Sequence, residues 1–253
     1  MEKNLSFNGF PIKYNNTNLI YSYIDLKSTL LHYWDLDTDN AVLLDKQGTN
    51  NLTKVGTVTT LLDAPDGGLC SNLGNGLGYF YKSNFAKPTA INNNFSYNIW
   101  AKSIATSSVG NWIISHRGDL QDKIYYQLLV RLVSTQQDVT SFYDTSSTNL
   151  RVDTPDESNL NQWYMYTYTK TPTELKLYRN GVLMASSVYT NQIENNLTTS
   201  QPFAIGTGSW SLGSSTTIHR GQVFAAGIWA SELTQAQITA LYNNGNGRRY
   251  ASL

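Results

Sequence analysis

The fold class this sequence predicts is an all-β sandwich or barrel closed by one short helix, and three observations carry the prediction. Short runs with alternating side chains recur along the chain with turn signals between them, which is the mark of many antiparallel strands. Residues 161–186 read as strand, polar break, strand, Asn-Gly turn and strand. Only the stretch beginning Thr234-Gln235-Ala236-Gln237 carries a helix signature.

The elements follow in order. Residues 1–28 are polar and Asn-rich, with a short alternation at Leu19, Tyr21 and Tyr23. They are expected to form an arm, or one or two peripheral strands, outside a main domain spanning 29–253. In LLHYWDLD, alternation puts Trp34 and Leu36 on one face and Tyr33, Asp35 and Asp37 on the other. A turn at Gln47-Gly48 leads to another strand. Further strands are expected at 77–81, 95–102, 111–116, 125–133 and 139–143. In WYMYTYT, Tyr164, Tyr166 and Tyr168 share one face and Trp163, Met165 and Thr167 the other. Asn180-Gly181 tolerates the positive φ angles of a type I′ turn, so 175–179 and 182–186 should pair as a hairpin. Thr234 and Gln237 form a capping-box pattern; Ile238, Leu241 and Tyr242 then make one apolar helix face, with Gly245 as the stop.

Composition excludes several classes. Eighteen basic residues balance eighteen acidic ones and only 14% of residues are charged, so the basic excess of a nucleic-acid binder is missing. No apolar run approaches the roughly 20 residues needed to span a bilayer, so no membrane insertion is expected. Cys70 is the only cysteine, which rules out an intrachain disulfide. The start, MEKNLSFNGFPIKYNN, lacks the apolar stretch of a signal peptide, so synthesis in a reducing cytosol is expected.

Three kinds of chemistry have candidate residues in the chain. Retaining glycoside hydrolysis needs two carboxylates flanking the bond. Asp35, Asp37 and Asp39 alternate suitably, but none of the five glutamates (Glu2, Glu157, Glu174, Glu194 and Glu232) starts a paired-acid strand motif, and no enzyme is expected. Calcium needs six to eight oxygen ligands. Asp35, Asp37, Asp63 and Asp66 are the weak candidates, while DLDTDN fails as an EF-hand loop because Asn40 and Lys46 replace its Gly and Glu. Glycan recognition needs flat aromatic faces and polar side chains for hydroxyls; Trp210, Tyr143, His116, Arg117 and Asp119 are the candidates. A serine or cysteine nucleophile has no supporting motif, and Gly74, Gly76 and Gly78 precede no helix that could make them a phosphate loop.

Taken together, HYWDLD with the Asp45–Gly48 D-x-x-G turn, FSYNIWAK, Trp163-x5-Thr169 before LKLYRNGVL, FAIG at 203–206, and GQVFAAGIWASELTQAQITALYNNGNG resemble the laminin-G-like, concanavalin A-like jelly roll of lectins and glucanases. The resemblance implies a two-sheet antiparallel sandwich over about residues 30–250 with a single C-terminal helix. It also implies that Tyr164, Tyr166 and Tyr168 face the opposing sheet as core, with hydroxyls needing partners. Glucanases of the family carry E-x-D-x-x-E, which this chain lacks. Relatives often hold calcium through acids in the last strand, where this chain has Phe224 and Ala225, so no cofactor is expected and calcium is doubtful.

The functional expectation is a non-catalytic structural or adhesive module of a virus particle, most readily a bacteriophage capsid decoration, head fibre or tail protein. Its expected partners are other virion proteins, through residues 1–28, and cell-surface glycans, with homo-oligomers consistent with particle symmetry. Such a protein is assembled in the host cytoplasm and ends in the virion. The alternative is a secreted or surface carbohydrate-binding module acting outside the cell.

Overall fold

The computed structural model describes residues 5–7, 10–15, 18–21, 24–86, 94–105, 111–117, 124–131, 137–143, 149–154, 158–189, 200–209, 212 and 217–253, with the backbone alone for those before 24 and for 117–151 and 153. Two eight-stranded antiparallel sheets face each other, as the resemblance implies. The first contains β4 (Leu30–Trp34), β7 (Thr59–Leu62), β8 (Leu69–Asn75), β10 (Phe95–Ser103), β15 (Trp163–Lys170), β16 (Glu174–Arg179), β17 (Val182–Val188) and β19 (Arg220–Trp229). Their order is β17-β16-β15-β10-β19-β8-β7, with β4 pairing the second half of β19 while β8 pairs its first half. The second contains β5 (Val42–Leu43), β6 (Leu52–Gly56), β9 (Gly78–Phe85), β11 (Asn111–Arg117), β12 (Ile124–Arg131), β13 (Gln137–Tyr143), β14 (Asn149–Asp153) and β18 (Gln201–Ile205), in the order β14-β13-β12-β11-β18-β9-β6-β5.

Strand alternation builds the core between the sheets. Phe95, Tyr97, Ile99 and Ala101 of β10 stand opposite Lys170, Tyr168, Tyr166 and Tyr164 of β15. The three tyrosines are buried with Phe80, Phe85, Phe203 and Ile205 of the facing sheet. They are core, as expected, and two of the three hydroxyls find partners. Tyr166 shares a 2.7 Å hydrogen bond with Ser158, and Tyr164 donates to Gln162 Oε1 at 3.0 Å. The buried Tyr168 hydroxyl has no hydrogen-bond partner among the described residues.

The first sheet is covered on its outer face as well. Trp100, Met165, Phe224, Ala225 and Trp229 form a second buried cluster with Leu26, Leu233, Ile238 and Leu241. A register shift between β10 and β19, at Ile99/Ala101, leaves Phe224 and Ala225 together opposite Trp100. Such a bulge puts two consecutive residues into the same outer layer. Two polar residues on this buried face are satisfied: Ser96 donates to Ser231 O and accepts from Leu233 N, and Asn98 donates to Thr167 Oγ1 at 2.7 Å.

Helix α1 (Gln235–Tyr242) begins with the expected capping box: Thr234 Oγ1 accepts from Gln237 N and Gln237 Oε1 accepts from Thr234 N. It ends earlier than Gly245, at Asn243, which adopts the left-handed conformation (φ 49°, ψ 49°) that suits asparagine at this position. Tyr242 stacks on Trp100 at 5.7 Å, anchoring the helix to the sheet. The expected hairpin forms as well. Asn180 and Gly181 have φ of 53° and 83°, Arg179 pairs with Val182, and Asn180 Oδ1 accepts from Met165 N. In the N-terminal region, β1 (Leu5–Phe7), β2 (Phe10–Asn15) and β3 (Asn18–Tyr21) form their own antiparallel sheet rather than one or two strands.

Candidate functional site

At the end of β4 the chain makes a constrained exit. Leu36 is wholly buried in the core yet has φ of 26°, a left-handed angle rare for leucine. The strain, about 1–3 kcal/mol, is of the same size as the gain from burying a leucine, about 1.5–3 kcal/mol. The buried side chain can therefore hold the kink, and Asp35 and Asp37 flank it on the side away from the core.

These two aspartates, with Thr38, Asn40, Val42, Leu43, Leu44 and Lys46, line an open cleft of about 240 Å³. Its lining is mixed, polar at Asp35, Asp37, Thr38, Asn40 and Lys46 and aliphatic at Val42 and Leu44, which are 46% and 53% exposed. Thr38 Oγ1 accepts from Asn40 N at 3.0 Å, and the Thr38 carbonyl accepts from Ser71, which fixes the loop.

The C-terminal segment backs this cleft. Asp35 accepts from Tyr250 N at 2.8 Å, and burial raises its pKa above the usual carboxylate value, the Tyr250 bond working in the other direction. Arg249 donates to Asp37 at 2.9 Å, to Asp66 at 2.6 and 3.1 Å, and to the Leu69 carbonyl, while its guanidinium lies 4.7 Å over Phe224. Burial opposes ionisation of Asp66, but Arg249 and the Gly68 N–H outweigh it and hold its pKa low. A Cβ on Gly68 would stand 2.7 Å from Arg249 Nη2, so the glycine makes room for the clamp.

Beside the cleft, the D-x-x-G turn proves structural. The Asp45 carboxylate accepts from the backbone N–H groups of Tyr33, Gln47, Gly48 and Asn50 and meets His32 Nδ1 at 2.7 Å. Burial would raise its pKa, but His32 and these donors lower it to about 2.

The sequence candidates fare unevenly. Asp35 and Asp37 share the cleft, Asp66 is joined to Asp37 through the shared Arg249, and Asp63 pairs with Lys102. The four do not converge, and among the described residues no three His, Cys, Asp or Glu side chains assemble to hold a metal. At the family's last-strand calcium position, Phe224 and Ala225 lie in the buried apolar cluster; they supply no ligand, so the residues present do not fit that ion. His116 is wholly buried between Phe85 and Phe203, with Nε2 3.2 Å from the Phe85 carbonyl. Its ring is therefore a core ring and not a face open to a sugar. Tyr143 and Arg117 end β13 and β11, where only the backbone is described, and Trp210 and Asp119 lie outside the described residues.

Thr38, Asn40, Lys46 and Arg249 were not among the sequence candidates. The first three sit in or just after DLDTDN, a run readable only as a failed calcium loop. Arg249 is 212 positions from Asp37, and no spacing rule connects them.

The matching family description is the Concanavalin A-like lectin/glucanases superfamily, over residues 78–239. Comparison with curated proteins returns no sequence match. Among solved structures, domain 4 of AbnA, an extracellular GH43 arabinanase from Geobacillus stearothermophilus in complex with arabinotriose, is similar at 15% identity and TM-score 0.62, covering 84% of this chain and 97% of that one. A sialidase of Trypanosoma rangeli is similar at 14% identity and TM-score 0.63, covering 88% of this chain but 34% of that one. The receptor-binding domain of a botulinum neurotoxin of C/D mosaic serotype is similar at 17% identity and TM-score 0.61, covering 87% and 52%. At these identities the likeness is one of fold. No helix among the described residues is long and apolar enough to cross a membrane. The two-sheet sandwich, its single terminal helix and the match over residues 78–239 together make this chain a member of the concanavalin A-like lectin/glucanase superfamily.

Proposed function

We propose that this chain is a non-catalytic, glycan-binding adhesive module whose ligand site is the cleft lined by Asp35, Asp37, Thr38, Asn40 and Lys46. The observation that carries the reading is the cleft itself, where carboxylate, hydroxyl, amide and ammonium groups converge beside the aliphatic surface of Val42 and Leu44. Sugars need that combination, since their hydroxyls both donate and accept while their C–H faces seek apolar contact. The similar arabinanase domain in complex with arabinotriose supports the same direction. Binding is favoured over hydrolysis because Asp37 is committed to Arg249, which leaves Asp35 without the second free carboxylate that glycoside cleavage uses.

Screening the protein on a glycan array, with an Asn40→Ala/Lys46→Ala variant in parallel, tests this. Hits that fall at least about tenfold in the variant support the cleft; an array without hits, or hits indifferent to the substitutions, removes it.

The finer reading places the module on a virus particle, most readily that of a bacteriophage, where it acts outside the cell after release. What favours it is the N-terminal sheet, which pairs with neither sandwich sheet and so is suited to attachment. Mass spectrometry of purified particles from the source is the direct check, and particles lacking the protein would end the virion reading in favour of a secreted lectin-like module.

A further inference from the structure

One carboxylate of the cleft is short of a partner. Asp35 is only 9% exposed, yet its one hydrogen bond among the described residues comes from the neutral Tyr250 N–H, which occupies Oδ1. Its second oxygen, Oδ2, accepts from no described residue, although Asp35 lines the cleft. The nearby cations are engaged elsewhere or stand apart. Arg249 is divided between Asp37 and Asp66, and Lys46, which lines the cleft, forms no ion pair with a described residue. One guanidinium therefore serves two carboxylates, and Asp35, the most enclosed of the three, has no cation of its own. A buried charge is costly unless it is paired, and burial accordingly holds the Asp35 carboxyl above the usual carboxylate value.

We propose that the ligand of this cleft is an amino sugar with its amine free, seated with the ammonium on Asp35 Oδ2. The assignment rests on the glycan reading of the cleft and narrows it. A hydroxyl would give Oδ2 a hydrogen bond but leave the charge uncompensated. An ammonium supplies both, and such charge-assisted bonds are roughly twice as strong as neutral ones. Acetylation of the amine removes the charge, and an acidic sugar brings another negative one. The remaining lining suits the rest of the ring. Asn40 and Lys46 can donate to its hydroxyl oxygens, while Val42 and Leu44 offer aliphatic surface to its C–H groups. Lys46 is exposed, so water and salt screen its charge from the ammonium. The cleft's volume, about 240 Å³, lies below the roughly 300–1,000 Å³ of sites that enclose whole drug-sized ligands. One sugar unit fits that space better than a run of them.

Calorimetric titration with oligomers of glucosamine and of N-acetylglucosamine, equal in length, tests the proposal at about pH 6.5, where an α-type amine is protonated. The wild type should bind the glucosamine oligomer at least about tenfold more tightly, and Asp35→Asn should abolish the difference. The asparagine keeps Oδ1 for Tyr250 and removes an enclosed charge, so tryptophan-monitored melting should show the variant no less stable than the wild type. Equal affinity for the two oligomers in the wild type overturns the proposal whatever the variant does, and so does a wild type that binds neither. A preference that survives Asp35→Asn also overturns it, because the amine would then sit elsewhere. None of these results decides the glycan reading itself, which stands or falls with array hits that depend on Asn40 and Lys46.

Discussion

Lowering the pH from 7 to 5 should cost this protein about 4 kcal/mol of stability through two buried histidines. His116 and His219 are both fully excluded from solvent. Burial lowers their pKa from 6.5 to about 3 and about 4 respectively, with nearby backbone groups only partly offsetting it. The folded-state values lie below the unfolded one, so each group's contribution is complete above pH 6.5 and is lost as the pH falls toward the folded value. At pH 5 the unfolded imidazole is almost fully protonated and the folded one is not, a difference of about 1.5 pH units, or about 2 kcal/mol for each histidine. Against a total stability of about 5–15 kcal/mol, the pair should shift the unfolding midpoint visibly. Asp35 acts in the opposite sense, because burial raises its carboxyl, and offsets part of this loss. Asp45, at about 2, begins to lose its contribution only below the unfolded value of 3.8 and stays out of the window. Urea unfolding at pH 7, 6 and 5, followed by tryptophan fluorescence, measures the slope. His116→Gln and His219→Gln should each lower stability at pH 7 yet remove about half of the pH dependence. A wild-type curve flat between pH 7 and 5, or a slope unchanged in the double variant, would refute the reasoning.

Four further outcomes are expected. Tyr168→Phe should leave stability unchanged or raise it by up to about 1 kcal/mol, whereas Tyr166→Phe, which breaks the bond to Ser158, should lower it by about 1 kcal/mol; paired denaturant titrations compare them. Asp45→Ala removes the acceptor of four backbone N–H groups and His32 and should cost about 3–5 kcal/mol, read as a large drop in melting temperature. Thr234→Ala should cost about 1 kcal/mol by uncapping α1, measurable by thermal unfolding. Calcium or a chelator should leave the melting temperature unmoved, since Asp63 and Asp66 are held by Lys102 and Arg249; a rise of several degrees with calcium would contradict this.

Much of the fold was legible locally. The Asn180-Gly181 hairpin, the tyrosine face of β15 and the Thr234 cap each depend on neighbours within a few residues, so period-2 alternation, positive-φ tolerance and capping chemistry could be read directly. The helix stop was misplaced because asparagine and glycine both accept left-handed angles, and Asn243 comes first. The candidate site was legible only in half. Asp35 and Asp37 stood out as alternating acids, but their state depends on Tyr250 and Arg249, which arrive from the far end of the chain. His116 looked like a surface ligand residue because a histidine reads the same whether its strand position faces solvent or the opposing sheet.

The sequence by itself determined an all-β chain with one capped helix, a tyrosine-rich core strand and a polar N-terminal segment, because these follow from periodicity and turn chemistry over short spans. Only the tertiary structure decided which acids share a cleft and which are tied up in ion pairs. Those outcomes depend on strand register and on contacts across some 200 positions, and single-strand alternation says nothing about which residue a neighbouring strand will place alongside.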